Sequence, residues 1–170
     1  MSTTREAILQ ALSSLMGPPF GLSVVPIDEP EPSHWQPMVE GVGGQMQIQH
    51  ALAIQDGPPP DAVGFAHGTD DTGCEELELE AVAAYAVQIR PGADYSIEDC
   101  RRERRVLRDE AVKIIARTVA LDRTLGLGGE VYAEVRPAAR DDEVAFANAI
   151  PTATALVPIR VLYTADHAAG

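Results

Sequence analysis

The sequence predicts an α+β fold, in which a largely antiparallel or mixed β-sheet carries two packed helices within a single domain. Two segments have apolar residues at three- and four-residue steps, the spacing of one helix face. Other segments alternate apolar with polar or small residues, the spacing of one strand face. The elements follow the order helix, strands, helix, strands, which is typical of an α+β domain with a mainly antiparallel sheet.

Chain length and composition are those of one folded domain. The chain has 170 residues, of which 45% are hydrophobic and 23% charged. A domain of this length buries roughly 70% of the surface that its unfolded chain exposes. We assign residues 1–164 to the domain, including an extended, proline-rich arm and loops at 28–76, and residues 165–170 to a loose C-terminal tail.

The first helix is predicted from its start signal and its apolar stripe. Thr3 and Glu6 have capping-box spacing, so the helix should begin there. Ile8 and Leu12 lead an apolar stripe that should face the sheet, and the sequence GPP at 17–19 should end the helix.

Alternation predicts the strands. Apolar residues, with His50 among them, occupy every second position from Gln45 to Gln55, and apolar residues do so again from Leu77 to Ile89. Short strands follow at EVYAEV and from Ala153 to Thr164. Because Pro158 cannot donate to a strand ladder, the last strand should lie at a sheet edge or contain a bulge near that position.

The second helix should begin after Ser96, which has Asp99 three residues on, and should run for about 25 residues. Its apolar stripe is predicted to consist of six residues: Cys100, Leu107, Ala111, Ile114, Thr118 and Leu121.

Charge argues against a dedicated nucleic-acid binder. The chain carries 26 Asp and Glu against 13 Lys and Arg, a formal net charge of -13, and such a molecule repels other polyanions. The one arginine cluster, at 101–108, is interleaved with acids and is interpreted as a solvated helix face. The sequence has no run of 18 apolar residues and no signal-peptide pattern at its start, so no membrane association is predicted.

Two groups of residues invite a chemical interpretation. His67, Asp70, Asp71, Cys74 and Glu75 place ligand-type side chains in one loop, but zinc and calcium sites need ligand spacings that this loop lacks. Nothing local supports a nucleophile pair of Cys74 or Cys100 with His34, His50 or His67. Reduced thiols are the expectation, although one bridge between the two cysteines stays open. We predict no enzyme activity, no metal and no cofactor.

A glycine-rich stretch, DRTLGLGGEVYAEV at 122–135, is a third candidate. Phosphate-binding glycine loops precede a helix, whereas these glycines follow one, so no helix N-terminus is available for an anion. The glycines are therefore interpreted as a helix end and a left-handed turn into a strand.

The order of several phrases resembles a known family. These are TTREAILQALSSL, LELEAVAAYAVQIRPG, IIARTVALDRTLG, VYAEV and LVPIRVLYT, with a PGADYS linker before the long helix. Together they resemble the tail terminator proteins of long-tailed bacteriophages and gene transfer particles. The similarity covers roughly residues 3–16 and 77–164.

The resemblance implies a structural protein of the virion, made in the host bacterial cytoplasm. Such a subunit forms a homohexameric ring that caps the tail tube, ends its polymerisation and contacts the head-tail connector or stopper protein. DNA would be a partner only in transit through the channel. Two alternatives stay open: a neighbouring neck or tail-completion protein of similar fold, and a small metal-binding or hydrolytic enzyme using the loop from His67 to Glu75.

Several residues are candidate contacts with neighbouring subunits. Large or stiff groups in loops suit such contacts, and arginines can pair with acids of a neighbour. The predicted contact residues are Trp35, Phe65, Pro58, Arg101, Arg105, Leu125 and Pro158.

Overall fold

The computed structural model describes residues 4–22, 24, 36–37, 47–56, 62–65, 74–90, 96–128, 130–145 and 151–166. Two helices and seven strands lie in this part of the chain. In order they are α1 (Thr4–Phe20), β1 (Gln36–Pro37), β2 (Gln47–Asp56), β3 (Ala62–Phe65), β4 (Cys74–Arg90), α2 (Ile97–Leu121), β5 (Val131–Val135), β6 (Ala139–Ala145) and β7 (Pro151–Asp166). The α+β fold class is confirmed, and all described strand pairs are antiparallel.

The sheet is built around two long strands. The strands β4 and β7 have 17 and 16 residues and pair with each other from Gln88 and Thr152 to Cys74 and Asp166. On its other side β4 pairs with β3 near its start and with β2 near its end. In the same way, β7 pairs with β6 near its start and with β5 near its end. Each long strand therefore pairs with two shorter strands on the side away from the other long strand.

One face of the sheet, here called the inner face, is covered by the helices. The helix α2 packs on β4, β7 and β5, while α1 packs on β2 and α2. Side chains at alternate positions of the strands meet the helices in one core, in which Ile8, Leu12, Ile54, Leu79, Ile115 and Ile159 are fully buried. Arg5 Nε also donates a 3.0 Å hydrogen bond to Asp56 Oδ2, which ties the start of α1 to the end of β2.

The first helix ends later than predicted, because the prolines of GPP do not stop it. Pro18 and Pro19 lie inside the final turn of α1, which continues to Phe20. Gly21, at φ 64°, donates to the Pro18 carbonyl, and Leu22 donates to the Gly17 carbonyl, the two bonds of a Schellman closure. These bonds satisfy the last carbonyls, and burial of Leu22 adds an apolar contact. The predicted capping threonine, Thr3, lies outside the described residues.

The second helix begins as predicted but buries a different stripe. The Ser96 side chain accepts a bond from the Asp99 amide and the Asp99 carboxylate accepts one from the Ser96 amide, a complete capping box. Leu121, which we expected to be buried, is 81% exposed. The buried positions are Cys100, Arg104, Arg108, Ala111, Ile115 and Val119. Arginine stems can lie along an apolar surface, and a pattern based on apolar residues alone misses them.

The prediction of a sheet edge or bulge near Pro158 is correct only at that position, because β7 as a whole is not an edge strand. The strand is internal, between β4 on one side and β5 with β6 on the other. Pro158 accepts a hydrogen bond from the Arg136 amide at 2.8 Å, so its nitrogen faces the junction where β5 ends and β6 has not begun. The missing donor therefore falls where no ladder bond is needed.

The C-terminal end of β7 also differs from the predicted boundary. Ala165 and Asp166, assigned to a loose tail, pair with Glu75 and Cys74 of β4. Residues 167–170 lie outside the described part of the chain.

Candidate functional site

The loop from His67 to Glu75, which was weighed as a metal site, is only partly described. Residues 66–73 lie outside the described ranges, and Cys74 and Glu75 form the first residues of β4. Within the described part of the chain, no group of three His, Cys, Asp or Glu residues is placed to hold a metal ion.

His50 and Cys100, considered above as catalytic groups, are both core residues. His50 is 3% exposed, and its Nδ1 atom lies 3.3 Å from the Tyr85 hydroxyl. Burial lowers the pKa of His50 to about 4, so the ring is neutral near pH 7. Cys100 is a buried free thiol, so it forms no bridge with Cys74, and burial raises its pKa. These placements favour packing roles for both side chains.

The glycine-rich stretch forms a turn between α2 and β5, as its interpretation required. Gly126 and Gly128 have φ values of 73° and 105°. Leu125 also lies in the left-handed region, at φ 54°, although it is not a glycine. Its side chain is 3% exposed and belongs to the core, which holds this unfavourable backbone in place. Leu125 is thus a core residue and is not available to contact a neighbouring subunit.

The same turn covers part of the free edge of β5. The Ala133 amide donates to the Arg123 carbonyl at 2.7 Å, and Arg123 Nη1 donates to the Ala133 carbonyl at 3.2 Å. The Val131 amide donates to the Gly128 carbonyl. The outward-facing groups of Ala133 are therefore already bonded, which blocks addition of another strand at that residue.

A groove separates the C-terminal half of α2 from β5. Its volume is about 410 Å³, and its lining residues are Ala116, Val119, Ala120, Arg123, Tyr132, Glu134 and Val135. The guanidinium carbon of Arg123 lies 5.5 Å from the centroid of the Tyr132 ring, within cation–π range. The charged side chains that line the groove are hydrogen-bonded within the protein, since Arg123 donates to the Ala133 carbonyl and Glu134 accepts from Arg160.

The face of the sheet opposite the helices, here called the outer face, has two unlike ends. At one end, small and neutral side chains are nearly inaccessible. We call this the buried end, and it consists of Ala51, Ala53, Ala84, Ala86, Gln88 and Thr152. Gln88 Nε2 donates to Thr152 Oγ1 at 3.0 Å, which pairs two polar groups that are 2% and 0% exposed.

At the other end, the outer face presents large and charged side chains. We call this the open end, and it consists of Glu78, Glu80, Val82, Tyr132, Glu134, Leu156, Pro158, Arg160 and Leu162. Tyr132 and Leu156 are 47% and 43% exposed. Register places Tyr132, Leu162 and Glu78 in one row across three strands, with Glu134, Arg160 and Glu80 in the next.

An ion-pair network crosses the open end. Arg160 donates to both carboxylate oxygens of Glu78, at 2.7 and 3.1 Å, and to Glu134 at 3.5 Å. Arg136 lies 3.3 Å from the same Glu134 oxygen. The bidentate Arg160 pair joins β7 to β4, and the Glu134 contact joins β7 to β5. The network stabilises the three strands at the surface that remains accessible.

The predicted contact residues are scattered in the structure. Trp35 and Pro58 lie outside the described residues, while Phe65 ends β3 and pairs with Glu75. Arg101 and Arg105 lie on α2, the first half-buried and the second exposed, and Pro158 is half-buried on the outer face. Alternation in VYAEV, LELE and PIRVL could have identified the open end, because every second residue there is charged or large.

Models of known protein families give no match to this chain, and neither do curated protein sequences. Among the residues that the structure describes, neither helix has the length and apolar character needed to cross a membrane.

Proposed function

We propose that this protein is the subunit of a homohexameric ring that caps the tail tube of a long-tailed bacteriophage or gene transfer particle. The ring ends polymerisation of the tube and provides the surface that joins tail to head. The observation that carries the proposal is the match between phrases and elements. Most of each phrase falls in one element: TREAILQALSSL lies in α1, LELEAVAAYAVQIR in β4, IIARTVAL ends α2 with DRTLG in the turn that follows, VYAEV is β5, and LVPIRVLYT lies in β7.

The shape of the sheet supports an assembly role. The strands β4 and β7 pair without interruption from Gln88 and Thr152 to Cys74 and Asp166. At about 3.3 Å per residue, strands paired over this length span roughly 50 Å. Strands of this length can carry contacts to an adjacent subunit or to the tube.

Charge supports a channel that conducts DNA. A subunit with a net charge of -13 contributes negative potential to a ring, and a lumen of that sign repels a passing polyanion. Such a ring lets DNA move through it without binding the phosphate backbone.

The proposal is tested by deleting the gene from the particle's genome and measuring tail lengths by electron microscopy. We expect tails of abnormal and variable length that do not join heads, and the wild-type gene supplied in trans should restore both length and joining. Tails of uniform length that fail to join heads would favour the neck or tail-completion alternative. Uniform tails that join heads would refute a role in either step.

A further inference from the structure

The strand β5 lies at one end of the sheet, so one of its two edges faces away from β7. The Val131 and Ala133 amides point to that edge, because they bond to residues of the preceding turn and not to β7. Four of the five residues of VYAEV are uncharged, and the strand contains no proline. A strand of this composition readily pairs with another strand when its edge is free.

Arg123 occupies this edge in the position that a residue of a neighbouring strand would take. Its carbonyl accepts from the Ala133 amide at 2.7 Å, and its Nη1 atom donates to the Ala133 carbonyl at 3.2 Å. Two residues that face each other in a hydrogen-bonded pair of an antiparallel sheet exchange the same two bonds. One arginine therefore supplies both the acceptor and the donor of a strand residue.

The turn that carries Arg123, residues 122–128, is held by further contacts. Asp122 Oδ1 accepts from the Thr124 amide at 3.1 Å and from the Thr124 hydroxyl at 2.6 Å. The Leu125 amide donates to the Asp122 carbonyl at 3.2 Å, and the Leu125 side chain belongs to the core. The Arg123 guanidinium lies over the Tyr132 ring. Asp122 and Arg123 together thus hold the turn against the edge of β5.

The sequence of β5 is compatible with pairing to a second copy of itself. Because Arg123 occupies the backbone groups of Ala133, an antiparallel pair centred on Ala133 lets the two copies exchange those bonds instead. In that register Val131 lies opposite Val135 of the second copy, and Tyr132 lies opposite Glu134 of the second copy. No like charges face each other directly in this pair.

The groove between α2 and β5 leaves space beside this edge. Tyr132, Glu134 and Val135 line the groove from the strand. Small apolar residues line it from the helix: Ala116, Val119 and Ala120. Alternate side chains of an added strand point to one face of the sheet, so the valines of a second β5 can lie next to this apolar wall.

We propose that Arg123 closes the β5 edge against a second copy of this chain, and that two copies pair through β5 when the turn at 122–128 is loosened. The β5 edge is thus an interaction surface that the subunit itself covers, and its partner is the same strand of another subunit. This two-fold contact is separate from the contacts that close the proposed ring.

Loosening the turn provides the test. The loosened variant carries Asp122→Ala and Arg123→Ala, which removes the side-chain bonds of the turn while the net charge stays at -13. The matched control carries Glu110→Ala and Lys113→Ala, which removes an exposed ion pair of α2 and also leaves the net charge unchanged. Thermal unfolding checks that each variant is folded. Arg123→Ala alone is a milder variant for the same measurements and should change them in the same direction.

We expect two changes in the loosened variant. The β5 amides should exchange hydrogen at least about tenfold faster than in the wild type when each is studied dilute, because the Ala133 acceptor is no longer held in place. Hydrogen-exchange mass spectrometry measures this rate. At higher concentration, analytical ultracentrifugation of the full chain should give a mass at least twice that of the wild type. The control should match the wild type in both measurements.

A charge at position 132 tests the register of the pair. In the loosened variant, Tyr132→Glu places a carboxylate opposite Glu134 of the second copy and should return the mass to that of the wild type. Tyr132→Lys places a cation there and should keep the doubled mass. Leu156 is exposed on the same sheet face but lies on β7, so Leu156→Glu and Leu156→Lys should both keep it.

The outcomes separate the closed edge from the ring. Unchanged exchange of the β5 amides in a folded loosened variant would overturn the role of Arg123. Faster exchange with a wild-type mass at every concentration would overturn the pairing, and equal effects of Tyr132→Glu and Tyr132→Lys would overturn the register. A monomeric wild type whose loosened variant dimerises would contradict the ring and support the β5 contact.

Discussion

The two ends of the outer sheet face share the long strands β4 and β7 yet differ in almost every physical property. At the buried end, alanines and the pair formed by Gln88 and Thr152 are nearly inaccessible. At the open end, Tyr132 and Leu156 are exposed and arginines bridge glutamates across three strands. Small residues occupy the enclosed part of the face, and long charged residues occupy the part that meets solvent. The open end is therefore the part of the outer face that can contact a partner.

The largest expected effect comes from placing a charge at each end. Ala86→Glu puts a carboxylate at a position of 0% exposure, and we expect the free energy of unfolding to fall by about 3 kcal/mol or more. Leu156→Glu, on the same face at 43% exposure, should change it by less than about 1 kcal/mol. Urea unfolding of both variants measures the difference. Equal losses would show that the two ends do not differ as described.

Acid should destabilise the buried core through His50 rather than the ion pairs of the open end. The pKa of His50 is about 4 in the folded protein, whereas an ordinary histidine has a pKa of 6.5. As the pH falls, the unfolded chain therefore takes up this proton before the folded protein does. Stability from the neutral ring is complete above pH 6.5 and is lost as the pH falls towards 4, by about 3 kcal/mol. The stability difference between wild type and His50→Gln should shift by that amount from pH 7 to pH 4. A pH-independent difference would refute the assignment.

A smaller loss is expected when the buried polar pair is broken. Thr152→Val keeps the side-chain shape but removes the acceptor of the Gln88 amide, which should lower the free energy of unfolding by about 1–3 kcal/mol. Thr154→Val is the control, since Thr154 lies on the same strand and face but is only half-buried. Chemical denaturation distinguishes the two. If the free energy of unfolding falls by the same amount in both variants, the hydrogen bond from Gln88 to Thr152 does not contribute to stability.

The smallest expected effect concerns the network at the open end. Arg160→Gln should lower the melting temperature less than any of the changes above, because the Arg160 and Glu78 side chains remain 27% and 34% exposed and water screens their attraction. The loss should shrink in 1 M salt. Thermal unfolding at low and high salt measures this loss of stability. A large loss that does not depend on salt would show that the ion pairs are shielded from solvent, contrary to their exposure.

Local patterns were sufficient to predict the elements whose signals are local. Alternation found β2 and β4, and the Ser96 and Asp99 spacing located the start of α2 within one residue. Apolar counting failed for the buried stripe of α2, because Arg104 and Arg108 bury their stems. Simple proline rules did not predict where α1 ends or that β7 is an internal strand. Bonds from Gly21 and Leu22 to carbonyls close the end of α1, and Pro158 faces the gap between β5 and β6, where no ladder donor is needed.

The open end could be predicted only in part. The alternation of VYAEV and LELE indicates which residues share a face, but the contact of Arg160 with Glu78 depends on the register between β7 and β4, which are separated by about 80 residues. Leu125 was predicted as a contact residue, but its side chain is 3% exposed and belongs to the core.

The central claim is that the chain forms a closed ring of six copies. Native mass spectrometry of the purified full-length protein tests it most directly, with negative-stain images of the same sample to show the shape. The account predicts a species of six times the 18.1 kDa subunit mass and six-fold rings with a central hole. A strict monomer at every concentration, or a two-fold dimer as the largest species, would contradict it.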